Sequence, residues 1–185
     1  MLMRVITGSA RGRRLITLEG DDVRPTTDIV KEALFSIIQF EIEGRKVLDL
    51  FGGCGQLAIE ALSRGAHSAT IVDLSKKSVE VIKKNVITTG FADKAFVVNS
   101  DAASFLSRTR EKFDIALLDP PYSKGLIEKA FAILPDVMNE SGVIICEAPF
   151  SDELPESAGS FILKKKYRYG KTGLFLYRCE TEGED

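Results

Sequence analysis

The chain has 185 residues, of which 44% are hydrophobic and 28% charged, the composition of a single globular domain. No apolar run approaches the roughly 20 residues that a membrane-spanning helix needs, and we expect a cytoplasmic protein. The chain holds three cysteines without a CxxC pair (Cys54, Cys146 and Cys179) and a single histidine, His67, which disfavours disulfide frameworks, zinc sites and histidine-based hydrolases.

The net charge of −2 is distributed unevenly along the chain. Residues 1–18 carry four arginines and no acidic residue, and residues 164–178 carry six basic residues and no acidic residue. A basic run is either a solvated face or a contact with an anionic partner. The charge pattern alone leaves both interpretations open.

The predicted elements begin with two short strand-like runs, 3–7 and 13–18, which form a basic β-hairpin over residues 1–22. The segment Arg24-Pro-Thr-Thr-Asp28 is typical of a helix start, and apolar residues at helical spacing continue to about Phe40. Further strands are expected over 46–50, 69–72, 95–98, 115–118 and 143–146. Further helices are expected over 56–64, 76–88, 101–106 and 126–137. The runs 160–169 and 173–179 predict a closing hairpin.

Short apolar strands that alternate with amphipathic helices are typical of a parallel sheet with helices on both faces. The sequence therefore predicts an α/β fold with a mainly parallel sheet and one antiparallel edge strand from the closing hairpin. We expect one domain over 1–185, with a Rossmann-like core over 23–179 and an acidic tail over 180–185. Such sheets bind ligands beyond the carboxyl ends of their strands.

The first candidate site is the loop Asp49-Leu-Phe-Gly-Gly-Cys-Gly55 between a strand and a helix. Its three glycines let the backbone approach a ligand and turn onto a helix N-terminus. Asp73 stands 20 residues after Gly53, at the end of the next strand, where a carboxylate can bind both ribose hydroxyls. The pattern predicts a cofactor that contains a nucleoside.

Two further acids distinguish the possible cofactors. Asp49, just ahead of the glycines, would repel a pyrophosphate but attract the methionine amine of a sulfonium cofactor. Asp101, after the third strand, can accept a hydrogen bond from an adenine amine, and it can also cap the following helix. Acids after three successive strands favour S-adenosylmethionine over NAD.

The most specific motif is Asp119-Pro120-Pro121-Tyr122, which follows the fourth strand of the core. A nucleobase amine is a poor nucleophile because its lone pair is conjugated into the ring. Asp119 can accept one of its N–H groups and the Pro120 carbonyl, held by fixed proline φ angles, can accept the other. The lone pair is then directed at the methyl group, and Tyr122 can stack on the base. These four residues are the candidate catalytic residues, and the chemistry needs no metal.

These residues resemble a class I S-adenosylmethionine-dependent methyltransferase with the signature of exocyclic-amine methylation. Motifs over about residues 3–178 extend the resemblance to the bacterial small-subunit (16S) ribosomal RNA guanine-N2 methyltransferase family. They are Arg4-Val-Ile-x-Gly8, Gly12-Arg13-x-Leu15, Arg24-Pro-Thr-x-Asp28, Glu32-Ala-Leu-Phe35, Leu48-Asp-Leu-Phe-Gly-Gly, Ile59-Glu-Ala-Leu-Ser-Arg-Gly-Ala66 and Tyr169-Gly-Lys-Thr. The resemblance implies a seven-stranded sheet, a monomer and methylation of one guanine in the small subunit.

The resemblance also implies roles for individual residues. It places Asp49 and the loop glycines around the methionine part of the cofactor, Asp73 at the ribose and Asp101 at the adenine. The full set of implied cofactor contacts is Asp49, Phe51, Gly52, Gly53, Gly55, Asp73, Leu74, Asp101 and Ala102. The glycine loop departs from the usual family pattern at Gly53, Cys54, Gln56 and Ala58, and Gln56, at the helix start, can alter the loop contacts.

The N-terminal hairpin and the basic segment Lys164–Lys171 are the candidate phosphate contacts. The preferred RNA contacts are the arginines near the N-terminus, which can lean over the target base: Arg4, Arg11, Arg13, Arg14 and Arg24. An acidic protein of this size would bind naked RNA poorly, so the expected substrate is an assembled or partly assembled small subunit. The alternatives are a DNA adenine or cytosine amino-methyltransferase, a protein glutamine methyltransferase, an NAD oxidoreductase and a non-catalytic assembly factor. For the remaining residues we expect Phe35 and Phe40 in the core, Cys54 packed in its loop and His67 facing solvent.

Overall fold

The computed structural model describes residues 3–18, 28–121 and 125–180. Within these ranges the chain forms one mixed sheet of eight strands with helices on both faces. The strands are β1 (Lys46–Asp49), β2 (Ser68–Asp73), β3 (Ala95–Asn99), β4 (Phe113–Leu118), β5 (Met138–Pro149), β6 (Ser157–Ala158), β7 (Phe161–Tyr169) and β8 (Thr172–Cys179). The helices are α1 (Asp28–Ile37), α2 (Gln56–Ser63), α3 (Lys76–Thr89), α4 (Ala102–Arg108), α5 (Leu126–Phe131) and a 3₁₀ turn over Leu134–Val137. The α/β fold predicted from the sequence is confirmed.

The strand order is β3-β2-β1-β4-β5-β8-β7-β6, and the first five of these strands are parallel to one another. The resemblance implied seven strands, and the described residues form eight because the two-residue β6 pairs antiparallel with β7 at the edge. The expected position of the hairpin's antiparallel strand needs correction: β8 lies inside the sheet, between β5 and β7.

Side-chain polarity explains why β8 lies inside the sheet. Residues 173–177 of β8 are buried without interruption, whereas β7 exposes the charged side chains Lys164, Lys165 and Lys166. A strand that is apolar on both faces is stabilised most when it has a neighbouring strand on each edge and packed side chains over both faces. The hairpin therefore folds back so that β8, and not β7, pairs with β5.

Alternating residues of each central strand supply two separate hydrophobic cores. In β4, Ile115 and Leu117 pack with the buried faces of α1, α2 and α3, while Ala116 and Leu118 pack with α4 and α5. Both faces of the central strands are therefore covered, as the continuous apolar runs in the sequence predict. No helix of the described segments is long and apolar enough to cross a membrane.

The N-terminal hairpin is less regular than predicted. Arg4 and Arg14 form one isolated antiparallel bridge in place of two continuous strands. The backbone N–H groups of Ile6 and Thr7 donate instead to the carboxylate of Glu60 in α2, at 2.7 and 2.9 Å. Because these donors are used on a helix, the hairpin lies on the domain as an irregular loop and not as a free two-stranded ribbon.

Some predicted boundaries also differ from the structure. The helix expected over 126–137 ends at Phe131, and Pro135, which has no backbone N–H, lies within the separate 3₁₀ turn. Phe35 is fully buried as expected, but Phe40 is 93% exposed, so its expected place in the core is wrong. Helix α1 ends at Ile37, and beyond that point helical spacing no longer determines which side chains face the core.

Three predictions lie at least partly outside the described residues. Arg24 belongs to residues 19–27, and the predicted boundary between hairpin and core falls in the same range. Tyr122 belongs to residues 122–124, and the acidic tail is described only at Glu180.

Candidate active site

Acidic side chains follow one another along the carboxyl edge of the sheet. Asp73, Asp49 and Asp119 lie at or directly after the ends of β2, β1 and β4, and Glu147 lies near the end of β5. Asp101 follows β3 and begins α4. All five line one cavity of about 780 Å³, within the range of sites that enclose a small molecule.

The glycine loop forms the floor of this cavity. A Cβ atom on Gly52 would lie 2.5 Å from Cγ2 of Ile71, so only glycine fits between the loop and β2. Gly53 has a φ of 57°, and no atom lies within 4 Å of the place where a Cβ would project from it, which leaves its backbone accessible from the cavity. Gly52 and Gly53 line the cavity, as expected for cofactor contacts, whereas Gly55 does not.

Gly55 instead controls how helix α2 begins. It adopts a φ of 82° at the N-cap, a conformation that side-chain-bearing residues rarely adopt. Its backbone N–H donates to the carbonyl of Gly52 over 2.6 Å, which closes the loop. A Cβ atom there would lie 3.3 Å from Ile82 of α3. Gly55 therefore sets the conformation of the loop without lining the cavity.

Asp49 is the most strongly perturbed acid of the site. Its side chain is only 1% exposed, and burial, reinforced by the negative charge of Asp119, raises the pKa of its carboxyl to about 7. Oδ2 accepts a long hydrogen bond of 3.3 Å from the backbone N–H of Ala58. Oδ1 has no hydrogen-bond partner among the described residues. A buried carboxylate of this kind favours a cationic ligand.

Gln56 is a site residue that the sequence analysis did not assign. It is the first residue of α2, is 8% exposed and lines the cavity. Its side-chain oxygen, like Oδ1 of Asp49, is buried with no partner among the residues described. Two unsatisfied acceptors among the residues that line one cavity favour a ligand with hydrogen-bond donors.

Asp73 and Asp101 follow the neighbouring strands β2 and β3 and also line the cavity. The carboxylate of Asp73 accepts from the backbone N–H groups of Gly53 and Ser75, each over 2.8 Å. Asp101 accepts from the backbone N–H of Ser104 over 2.9 Å, and hydrogen bonds from the side chain and then the backbone of Ser104 lower the pKa of its carboxyl. The expected helix-cap role of Asp101 is therefore confirmed. Its adenine contact, like the ribose contact of Asp73, stays a prediction.

The structure brings most of the other predicted site residues to the same cavity. Asp119, Pro120 and Pro121 line it beside the glycine loop, and Phe51, Leu74 and Ala102 line it as well. Leu74 is 72% exposed, so its side chain is accessible to a ligand in the cavity.

The four described arginines of the hairpin are exposed at the surface: Arg4, Arg11, Arg13 and Arg14. Met3 and Leu18, at the two ends of the described hairpin, line the cavity. The basic segment therefore borders the candidate site, although none of these four arginines lines it. The site also includes Lys129, Glu147 and Thr172, which sequence reasoning missed. Glu147 could have been found by applying the carboxyl-end rule to the fifth strand.

A buried polar network holds the hairpin beside the cavity. The Glu60 carboxylate is fully buried and, besides Ile6 and Thr7, accepts from Nε of Arg64 over 2.9 Å. Nζ of the buried Lys31 donates to the carbonyl of Arg4 over 2.7 Å, and burial lowers the pKa of this lysine. The network therefore determines where Met3 meets the glycine loop.

Two residues whose side chains are often reactive in enzymes take no part in the chemistry of this site. Cys54 is buried, contacts the sulfur of Met3 at 3.2 Å, and burial raises the pKa of its thiol to about 11. It therefore packs in the loop as expected and is not a reactive thiolate. His67 is exposed, also as expected.

Comparisons with known proteins agree with this geometry. Two curated relatives match nearly the whole chain. "Putative rRNA methyltransferase YlbH" of Bacillus subtilis is 37% identical, over 95% of this chain and 98% of the relative. "Ribosomal RNA small subunit methyltransferase D" of Escherichia coli K12 is 35% identical, over 98% of this chain and 92% of the relative. A solved structure described as "Putative methyltransferase yhhF from Escherichia coli" superposes with a TM-score of 0.88 at 33% identity, covering 97% of this chain and 99% of that chain.

The family resemblance inferred from the sequence is confirmed by these relatives and by a family model that matches residues 3–178. The match includes the hairpin, the glycine loop, the Asp-Pro-Pro segment and both strands of the closing hairpin. The chain therefore belongs to the family described as conserved hypothetical protein 95.

Proposed function

We propose that the protein transfers a methyl group from S-adenosylmethionine to the exocyclic N2 amine of a guanine in small-subunit (16S) ribosomal RNA. The observation that carries this proposal is the cavity itself, where Asp119-Pro120-Pro121 stands beside a glycine loop and Asp73. The names of the curated relatives, which are ribosomal RNA methyltransferases, support the class of substrate.

The chemistry of the cavity fits this cofactor. The buried Oδ1 of Asp49 and Oε1 of Gln56 can accept hydrogen bonds from its α-ammonium group. The accessible backbone at Gly53 leaves room for its amino-acid part, and Asp73 retains lone pairs for the ribose hydroxyls beyond its two backbone bonds. The exposed Leu74 would pack on the adenine. When bound, the cofactor supplies a methyl group on a positively charged sulfur.

Asp119 and Pro120 would orient the target amine. The carboxylate of Asp119 accepts one N–H of the amine, and the Pro120 carbonyl accepts the second. Both donors are then held away from the cofactor, and the nitrogen lone pair faces it in a near-attack arrangement. After transfer, the nitrogen carries one proton too many, and the Asp119 carboxylate is placed to take it. No metal ion is needed, because the leaving group is a neutral thioether.

The exposed arginines beside the cavity would contact the RNA backbone. Neutralising about four phosphates gives a salt slope near −3 for a single strand, which is roughly a fifty-fold loss of affinity between 50 and 200 mM salt. A protein with net charge −2 therefore needs further contacts at cellular salt. We infer that the substrate is an assembled or partly assembled small subunit, bound by a monomer in the cytoplasm.

The test uses S-adenosylmethionine labelled in its methyl group and small subunits from cells that lack this methylation. After the reaction, the RNA is digested to nucleosides and the label is identified. We expect N2-methylguanosine at one position with the native protein and at least about a hundredfold less over the same time with Asp119→Ala. Label in a different nucleoside, or label on a ribosomal protein, would overturn the proposed substrate. No label despite measurable cofactor binding would favour an assembly factor.

A further inference from the structure

Glu147 has a position in the sheet that relates it directly to Asp119. Strands β4 and β5 are parallel, and their register pairs Leu118 with Cys146. The next residues along the two strands are Asp119 and Glu147, so the two acids occupy neighbouring positions at the carboxyl edge. Both line the cavity.

The alternation of side chains shows which face Glu147 occupies. Ile145, two residues earlier, packs in the core beneath α1, α2 and α3, as does Leu174, the cross-strand partner of Glu147 in β8. Glu147 therefore lies on the face of the sheet that carries the N-terminal hairpin, and its side chain is only partly buried. A base brought in by the basic hairpin would meet this carboxylate next to Asp119.

The edges of the nucleobases differ beside the amine. In guanine, the N2 amine stands next to N1–H, so the edge presents a continuous row of donors. In adenine and cytosine, the ring nitrogen next to the amine is an acceptor, whose lone pair a carboxylate repels. A second acidic acceptor beside the amine-binding Asp119 therefore discriminates between the bases through an unfavourable contact as well as a favourable one.

We propose that Glu147 is the residue that selects guanine: its carboxylate accepts the N1–H of the target base while Asp119 and Pro120 hold the N2 amine. This inference rests on the proposed function and adds the origin of its base specificity. The donor row of guanine also gives each of the two neighbouring carboxylates a hydrogen-bond donor, whereas adenine or cytosine would place an acceptor against Glu147.

The test compares guanosine with 2-aminopurine riboside, which keeps the 2-amino group but has an acceptor at N1. Each is placed at the target position of small-subunit RNA by splinted ligation, and the RNA is reconstituted into subunits. The ratio of kcat/KM for guanosine to that for 2-aminopurine is measured for the native protein, Glu147→Gln and Glu147→Ala. Cofactor binding by calorimetry shows that each variant is folded.

The native protein should prefer guanosine, since a carboxylate facing the N1 lone pair costs at least about tenfold. In Glu147→Gln the side-chain amide can donate to N1, so the preference ratio should fall at least about tenfold while methylation of guanosine is partly retained. Glu147→Ala should also lose the preference, with both substrates slow. A merely structural role of Glu147 would slow both substrates equally and leave the ratio unchanged.

The matched control is Glu140→Gln, the same substitution on an exposed residue at the opposite end of β5. This variant should keep the native ratio. An unchanged ratio in both Glu147 variants would overturn the inference and leave the proposed function intact. If the native protein formed no N2-methylguanosine from the guanosine substrate, both the proposed function and the inference about Glu147 would be overturned. The failure of the inference alone can therefore be distinguished from the failure of the proposed function.

Discussion

The carboxylate of Asp73 accepts a hydrogen bond from the backbone N–H of Gly53 over 2.8 Å, and this bond joins the end of β2 to the glycine loop after β1. The acid proposed to hold the ribose therefore also positions the loop proposed to hold the methionine part. Loss of the Asp73 side chain should disturb both ends of the cofactor.

Asp73→Ala should consequently weaken cofactor binding more than one lost ribose contact would. A hydrogen bond to a charged group contributes about 1.5–3 kcal/mol, so the dissociation constant should rise by about tenfold to more than a hundredfold. Asp73→Asn retains one acceptor oxygen and should show a smaller loss. Titration calorimetry with S-adenosylhomocysteine measures this effect, and native affinity in Asp73→Ala would contradict the role.

Asp119→Ala should show the reverse behaviour. We expect the rate of methyl transfer to fall by about 10²- to 10³-fold, with cofactor affinity close to native, because Asp119 faces the amine. Asp119→Asn keeps a carbonyl acceptor for the amine but cannot take the proton, so it should be less active than the native protein and more active than Asp119→Ala. Single-turnover kinetics with saturating cofactor measures the effect. If Asp119→Ala and Asp73→Ala were equally impaired in cofactor affinity, the two assigned roles would be wrong.

Cofactor binding should depend on pH through Asp49. Its carboxyl has a pKa of about 7, raised by burial and by Asp119, so it becomes negative as the pH rises through 7 and then attracts the ammonium group. Affinity should therefore weaken as the pH falls from 8 to 6. In Asp49→Asn the cofactor affinity should be lower than that of the native protein at pH 8 and nearly independent of pH over this range. Calorimetry in buffers of matched ionic strength gives both profiles.

The same carboxyl should lower the stability of the ligand-free protein at high pH. Its pKa is raised from 3.8 to about 7 on folding, so the folded state binds the proton more tightly than the unfolded state does. Asp49 therefore contributes stability at low pH, and the contribution is lost as the pH rises from about 4 to 7, by up to roughly 4 kcal/mol. Asp49→Asn should be more stable than the native protein at pH 8. Chemical denaturation without cofactor measures the free energy of unfolding, and a value for Asp49→Asn equal to or below the native value would contradict this prediction.

Glu60→Ala should destabilise the fold and release the hairpin. The variant leaves the N–H groups of Ile6 and Thr7 without an acceptor and Arg64 without its carboxylate, which costs about 3–5 kcal/mol for a buried charged group. Urea denaturation measures the free energy of unfolding. Glu43→Ala, which removes an exposed glutamate, is the control and should remain near native stability.

RNA affinity should depend on salt through the hairpin arginines. The triple variant Arg11→Ala/Arg13→Ala/Arg14→Ala should weaken binding and reduce the slope of log K against log salt by about 2, if each arginine contacts one phosphate of a single strand. Cofactor affinity should be unchanged, since none of the three lines the cavity. Equal slopes for the native protein and the variant would place the phosphate contacts elsewhere, with the basic strand β7 as the next candidate.

The sequence by itself determined the α/β class, the order of elements and the loops that carry the site. These follow from local signals: the 3.6-residue and 2-residue periods of apolar residues, the glycines before α2, and the two prolines after Asp119. Each signal lies within a few residues of the structure it predicts. The rule that ligands bind at the carboxyl ends of parallel strands then assembled Asp49, Asp73, Asp101 and Asp119 into one site.

Only the tertiary structure decided which strands are neighbours and which polar groups are buried together. Strand β8 lies between β5 and β7 because it, and not β7, is apolar on both faces and is stabilised by burial on both. Which strand pairs with β5 depends on the rest of the fold and is not determined by a local sequence pattern. The attachment of the hairpin to Glu60 joins residues more than 50 positions apart. The raised pKa of Asp49 and the placement of Glu147 beside Asp119 arise from burial and strand register, and both are properties of the assembled sheet.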